Sequence, residues 1–237
     1  MTTVTLQTYS MERMTAMLFT FIEKNVRETF GQEGLALLSK GLQQFGLKDT
    51  EIIAHKATSE GEIHTLFDYI PASITEPEKY PDATSFARFA KLFAQVTKVI
   101  VDAYGIDGEK VIQKGVWDFG KKRGVGMQQR ARARNQENTI DHYLENYDME
   151  RSDLFVIHDT YHPNELEQMT VVCPLGNQWA EDGMHLYGIN YCKVIDNAIA
   201  YGYNNKFDVI HDEYVLHTGQ CHFRFQMKDT EIKPKYD

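Results

Sequence analysis

Long apolar runs are missing from this 237-residue sequence, and so are the spacings of the familiar metal and nucleotide motifs. The most apolar stretch near the start, Met17-Leu18-Phe19-Thr20-Phe21-Ile22, falls far short of the roughly 20 residues a membrane helix needs. It has no basic flank before it and no small-residue cleavage site, so a cytoplasmic location is expected. No C-x-x-C pair, no H-E-x-x-H and no G-x-S-x-G elbow occurs. The glycine-rich run Gly120 to Gly126 lacks the strand before it and the helix after it that a phosphate-cradling loop requires. Cysteine is scarce. Its three copies, an odd number, form no complete disulfide framework and are expected to be free, metal-bound or reactive. Basic residues are outnumbered, 25 against 34 acidic, and the net charge of −9 disfavours nucleic acid and anionic membrane as partners.

What is present is an ordinary globular composition. Hydrophobic residues make up 42% and charged residues 25%, enough for a real core and too apolar for disorder. The first 150 residues read as helices. Ser10 can cap a helix reaching about Phe30, with Met14, Met17, Leu18, Phe21, Ile22 and Val26 at 3–4 spacing. A second helix runs from about Gln32 to Phe45 and stops at Gly46. Pro71, Pro77 and Pro81 mark a loop, after which Ser85 precedes a long amphipathic helix ending before Gly105.

An internal echo links these segments. Phe30-Gly31, Gly41 and Phe45-Gly46 correspond to Tyr104-Gly105, Gly115 and Phe119-Gly120 at a constant offset of 74 (104 − 30 and 119 − 45). Glycine inside a helix costs about 1 kcal/mol relative to alanine, so Gly41 and Gly115 imply close backbone neighbours. The echo reads as a duplicated helical hairpin.

Beyond Arg151 the period changes to two. Leu154 to His162 alternates, with Phe155, Ile157, Asp159 and Tyr161 on one face, and Pro163-Asn164 turns the chain into a second strand ending at Cys173. A short helix over 175–183, a longer one over 187–201, and two strands over 207–216 and 221–227 complete the pattern. The expected fold is α+β: a helical region over 1–150 packed on an α+β region over 151–237, as one integrated domain.

All three cysteines lie in that last third. Cys173 precedes Pro174, which suits the first position of a helix, so the thiol would face free N–H groups that favour its thiolate. Filling the strand-to-helix corner as a small hydrophobe is the plain alternative. Cys192 and Asp196, four residues apart on one expected helix, would share a face with Ile199 and Tyr203. Thr218-Gly219 fits a two-residue hairpin turn pairing Leu216 with Cys221. That register puts Cys221, Phe223, Phe225 and Met227 on one face with Asp212 and Tyr214. It sends His211, Glu213 and His217 to the other face with His222 and Arg224. His217 is then a candidate acid or base at the hairpin mouth. Cys173, Cys192, Asp196 and Cys221 could alternatively hold zinc or another divalent metal, although gaps of 18 and 28 residues are not finger spacings. His158 and His162 form a weaker pair on one strand. Lys121, Lys122, Arg123, Arg130, Arg132 and Arg134 read as a solvated basic face, with Arg130 and Arg134 spaced to clamp a carboxylate.

The series Cys173-Pro174, Tyr191-Cys192-x-x-x-Asp196, Gly202-Tyr203-Asn204 and Gly219-x-Cys221-x-Phe223 resembles the L-2-amino-thiazoline-4-carboxylic acid hydrolase family. The resemblance extends to the glycine-bearing helices and the Arg134-Asn135 region; where members often carry an acidic residue, this chain has Gln220. It implies a hydrolase acting on a carbon–nitrogen bond of a small carboxylate-bearing cyclic amidine. Water would add to the ring carbon between sulfur and nitrogen, activated by a thiolate or by a metal. Cys173, Asp196 and His217 would be catalytic, and Arg134, Asn135, Trp179 and Tyr203 would bind the small-molecule substrate. A remoter similarity to vinyl-reductase-like small-molecule-binding domains implies a sensor with a structural zinc and no turnover. A scaffold with packed thiols is the third reading, and association into a homo-oligomer is left open.

Overall fold

The computed structural model describes residues 8–213 and 221–236. Among these residues the helices are α1 (Met11–Phe45), α2 (Leu47–Ser59), α3 (Ser85–Tyr104), α4 (Ile106–Ala133), α5 (Pro174–Glu181), α6 (His185–Cys192) and α7 (Ile195–Tyr203). The strands are β1 (Val156–His162), β2 (Glu165–Val172), β3 (Phe207–Glu213) and β4 (Cys221–Met227). The fold is α+β, as the sequence pattern predicts. Two compact units interleave along the chain. One is Ser10–Val116 with Pro174–Tyr191; the other is Trp117–Cys173 and Cys192–Asp237 with the start of the chain as far as Tyr9. The expected division at 150 therefore falls inside the second unit.

The first unit is the duplicated hairpin made physical. Ser10 caps α1 by accepting the Arg13 N–H, and Thr84, 74 residues on (84 − 10), caps α3 by accepting the Ala87 N–H, both at 3.1 Å. At the corresponding kinks Gly31 has φ 59° and Gly105 has φ 56°, left-handed values that glycine adopts without strain. The aromatic residues just before them, Phe30 and Tyr104, stack on each other with centroids 3.8 Å apart. A Cβ on Gly41 would lie 3.1 Å from Val96 Cα, and one on Gly115 would lie 2.8 Å from Ile22 Cα. These contacts exchange under the same offset (115 − 41 and 96 − 22), so each half's glycine admits the other half's helix. That is the neighbour the two costly glycines imply. The helix α2, which the sequence reading passed over, follows directly from the stop at Gly46.

Trp179 and Gly188 are also core elements of this unit. The indole is fully buried, donates from Nε1 to the Ala90 carbonyl at 2.8 Å, and covers the bare face of Gly188.

In the second unit a four-stranded antiparallel sheet has the order β1-β2-β4-β3. Its inner face alternates as expected for β2 and β4: Leu166, Gln168 and Thr170 stand opposite Phe225, Phe223 and Cys221. Tyr143, the residue between the two turns of a 3₁₀ segment (Ile140–His142 and Leu144–Asn146), packs among Tyr203, Phe207 and Phe225 to fill the centre. The helices α4 and α7 meet backbone to backbone through Gly120, Gly124 and Gly202. A Cβ on Gly124 would stand 2.1 Å from the Ile199 carbonyl, and one on Gly202 would stand 2.3 Å from the Lys121 carbonyl. The glycine-rich run over 120–126 is thus a helix-packing surface in the interior of α4.

Two sequence expectations change here. The single helix over 187–201 is two, α6 and α7, parted at Lys193 and Val194; Val194 has φ −129° and ψ −39°, which breaks the helical path. The β3–β4 register also differs. Val209 pairs with Phe225 and His211 with Phe223, three residues away from the pairing a Leu216–Cys221 turn demands. An odd shift exchanges the faces, so His211 lies inward beside Phe223 and Asp212 lies outward. Asp212 is the extra residue of a bulge between His211 and Glu213. The expected turn, with Tyr214, Leu216, His217, Thr218 and Gly219, lies outside the described residues.

Candidate functional site

The cysteine motifs converge in the second unit from three directions. Cys173 follows the end of β2 and stands immediately before Pro174, where α5 begins as expected. Cys221 opens β4 opposite Thr170. Cys192 closes α6, and Asp196 lies in the first turn of α7, where the helix dipole favours a carboxylate. None of the three is in a disulfide, and each residue keeps part of its surface exposed. Burial holds the Cys192 thiol well above its ordinary pKa, and the negative charges that Cys173, Cys221 and Asp196 can carry add to that effect. Those three groups therefore lie within electrostatic reach of Cys192, and its sulfur stays protonated at neutral pH.

A consequence can be measured. The unfolded Cys192 ionises as pH rises through the ordinary thiol range, whereas the folded thiol stays neutral, so folding stability falls with rising pH there. Near neutral pH, alkylation followed by peptide mass mapping should label Cys192 far more slowly in the native protein than in urea. Equal labelling in both states would contradict a buried, neutral thiol.

The residue that sequence reasoning missed is His211. Its imidazole, with side chain 4% exposed, bonds through Nε2 to Asp196 Oδ2 at 3.1 Å, and Asp196 keeps 24% of its own surface. The same ring meets Phe223 edge to face at 5.1 Å. A signal existed in the strand itself, since Phe207, Val209 and His211 occupy alternate positions and the first two are apolar. Burial raises the pKa of Tyr143 and Tyr147, and the negative charge of Asp196 contributes to both shifts. The carboxylate is thus bonded to the imidazole and within electrostatic reach of two buried phenols. Beside Tyr147, Arg123 and Asp148 form a buried ion pair, with Nη2 to Oδ1 at 2.6 Å.

Several other expected site residues bond to backbone carbonyls. Arg134 donates to the Glu145 carbonyl at 2.8 Å, and Arg130 donates to the Tyr147 carbonyl at 3.3 Å, so the spaced pair braces the 3₁₀ segment. Asn135 has φ 58° and ends α4 in a Schellman turn, closed by Gln136 N–H to the Ala131 carbonyl at 2.9 Å. Tyr203 is fully buried, its hydroxyl donates to the Thr139 carbonyl at 3.3 Å, and burial pushes its pKa up to about 12. Trp179 belongs to the other unit's core. His158 and His162 point to the exposed outer face of β1, where His162 meets Glu167 at 3.2 Å. His217 lies outside the described residues. Among the described residues no group of three or more His, Cys, Asp or Glu side chains is arranged to hold a metal ion.

The second unit is thus an α+β body carrying a thiol cluster beside a carboxylate–imidazole pair. A family model described as L-2-amino-thiazoline-4-carboxylic acid hydrolase matches residues 85–225, more than half of the chain and all of the cluster. The chain belongs to that family. No curated protein matches it. Among solved structures, a doubly substituted Tt H-NOX protein is 12% identical, covering 94% of this chain and 99% of its own, with a TM-score of 0.43. An H-NOX protein from S. oneidensis in the Fe(II) ligation state is 13% identical, covering 93% and 99%, with a TM-score of 0.41. An oxygen-binding H-NOX domain related to soluble guanylate cyclases is 11% identical, covering 92% and 97%, with a TM-score of 0.39. Likeness at these scores carries no argument about this chain. No helix among the described residues is long and apolar enough to cross a membrane.

Proposed function

We propose that this protein is a hydrolase that opens a small carboxylate-bearing cyclic amidine at a carbon–nitrogen bond, using Cys173 and His211. The observation that carries the reading is the His211–Asp196 hydrogen bond on the side of the sheet where the thiols gather. Family membership supports the reaction class. Cys173 is the nucleophile, since Cys192 is held as a neutral thiol. His211 takes the role that the sequence assigned to His217, and Asp196 is the positioning residue that orients its ring.

In this scheme the Cys173 thiolate adds to the ring carbon between sulfur and nitrogen. The resulting tetrahedral centre collapses with cleavage of the ring carbon–nitrogen bond, and the departing nitrogen takes a proton from His211. Water, deprotonated by the same imidazole, then adds to that carbon and displaces the Cys173 sulfur. The product keeps its carboxylate and carries a carbamoyl group, and one water is consumed overall.

The test is steady-state opening of 2-amino-thiazoline-4-carboxylate, followed by mass spectrometry of the product. His211→Gln should lower kcat by about 10²–10⁴-fold, the usual contribution of a positioned proton carrier. Cys173→Ala should leave no covalent turnover. Asp196→Asn should lower kcat while shifting the limbs of the pH profile, which a purely structural role would not do. Wild-type rates in the Cys173→Ala protein would remove the thiol from the mechanism.

A further inference from the structure

A trough of about 480 Å³ opens in the second unit between one face of α4 and the end of α7, within the usual size range of small-molecule sites. Lys121, Val125, Gln128 and Arg132 contribute to it at spacings of four, three and four residues, a single helical stripe. Lys121 and Arg132 stand about 16 Å apart along the helix axis, one toward each end of the stripe. Both are exposed, and neither is in an ion pair among the described residues. No acidic residue lines the trough, although acidic residues outnumber basic ones 34 to 25 in the chain.

Amide donors at the end of α7 reduce the negative field an anion would meet there. The last carbonyls of a helix carry partial negative charge and would repel one. Two of those carbonyls of α7 are occupied: Gln128 Nε2 donates to the Tyr203 carbonyl at 3.1 Å, and the Asn204 N–H donates to the Ala200 carbonyl at 2.9 Å. Asn204 Nδ2 also covers the Asn138 carbonyl at 2.8 Å. One wall is Tyr201, whose ring lies 5.6 Å from Lys121 Nζ and 5.4 Å from the ring of Trp117. Asp196 lies in the first turn of α7 and Gly202 in its last, about 9 Å along the axis, so the trough is separate from the thiol cluster.

We propose that this trough binds an elongated acidic small molecule, a dicarboxylate whose two ends meet Lys121 and Arg132. Binding does not depend on the thiols and requires no reaction. Titration calorimetry with succinate, adipate and azelate, and with acetate as the single-charge control, tests it. Affinity should rise with chain length and weaken with added salt. Lys121→Gln and Arg132→Gln, both exposed and expected to fold normally, should each weaken the best diacid about tenfold. Cys173→Ala should bind it as the wild type does, which separates this site from the proposed reaction. Fluorescence of Trp117, beside Tyr201, gives a second readout. The proposal is overturned by absence of saturable binding, by acetate matching the longest diacid, or by indifference to both substitutions.

Discussion

Gly124→Ala should lower the stability of this protein by about 3 kcal/mol or more. The new Cβ would stand 2.1 Å from the Ile199 carbonyl oxygen, 2.7 Å from the Tyr203 nitrogen and 2.8 Å from the Gly202 carbonyl carbon, all backbone atoms. No rotamer change relieves a clash with backbone, so α4 and α7 must separate. The cost is expected at or above the top of the roughly 1–3 kcal/mol range for overpacking. At about 3 kcal/mol the thermal midpoint of a chain this size falls by about 6–12 °C. Gly126→Ala is the internal control, because its Cβ would meet nothing within 4 Å. That change removes a helix-interior glycine and should stabilise by about 0.5–1 kcal/mol. Thermal unfolding of both variants decides the matter; two shifts of the same sign would refute close helix contact at Gly124.

The second large effect concerns the Arg123–Asp148 pair. Both side chains are 2% exposed, and the guanidinium meets the carboxylate through Nε as well as Nη2. Its plane also lies against the rings of Phe119 and Tyr147. Asp148→Ala leaves a buried cation without its main counter-charge, an imbalance that costs about 3–5 kcal/mol. Replacing both partners, as in Arg123→Met with Asp148→Leu, removes the charge together with its counter-charge and should cost distinctly less than the single change. Urea unfolding of the two variants measures the difference. Should the double variant be the less stable, the pair would be contributing through packing rather than charge balance.

Much of the architecture was legible because it depends on near neighbours in the chain. Ser10 as a cap, Gly46 as a stop and the turn at Pro163-Asn164 are each specified within a few residues. The offset of 74 was equally plain, and its contacts at Gly41 and Gly115 repeat because the same local sequence recurs. The candidate site was legible in part: Cys173, Cys192, Asp196 and Cys221 were visible as motifs. His211 was not, because its face depends on which residue of β4 it meets. That pairing is settled by the whole sheet and by the bulge at Asp212. Trp179 and Tyr203 looked like substrate contacts because an aromatic residue in a motif reads the same in a core as in a binding site. Only the partners distinguish them, Ala90 for one and Thr139 for the other.

By itself, the amino-acid order determined where α1, α3 and α5 begin and where α1 and α3 stop, that a helical half precedes the strands, and that one helical hairpin occurs twice. Those outcomes follow from φ preferences, caps and periodicity, which act over a few residues. Tertiary structure alone decided that an imidazole joins Asp196, that Cys192 stays neutral, and that glycines resembling a phosphate loop seat one helix on another. Each of these depends on atoms brought together from distant parts of the chain, where burial and strand register, rather than local preference, set the energy.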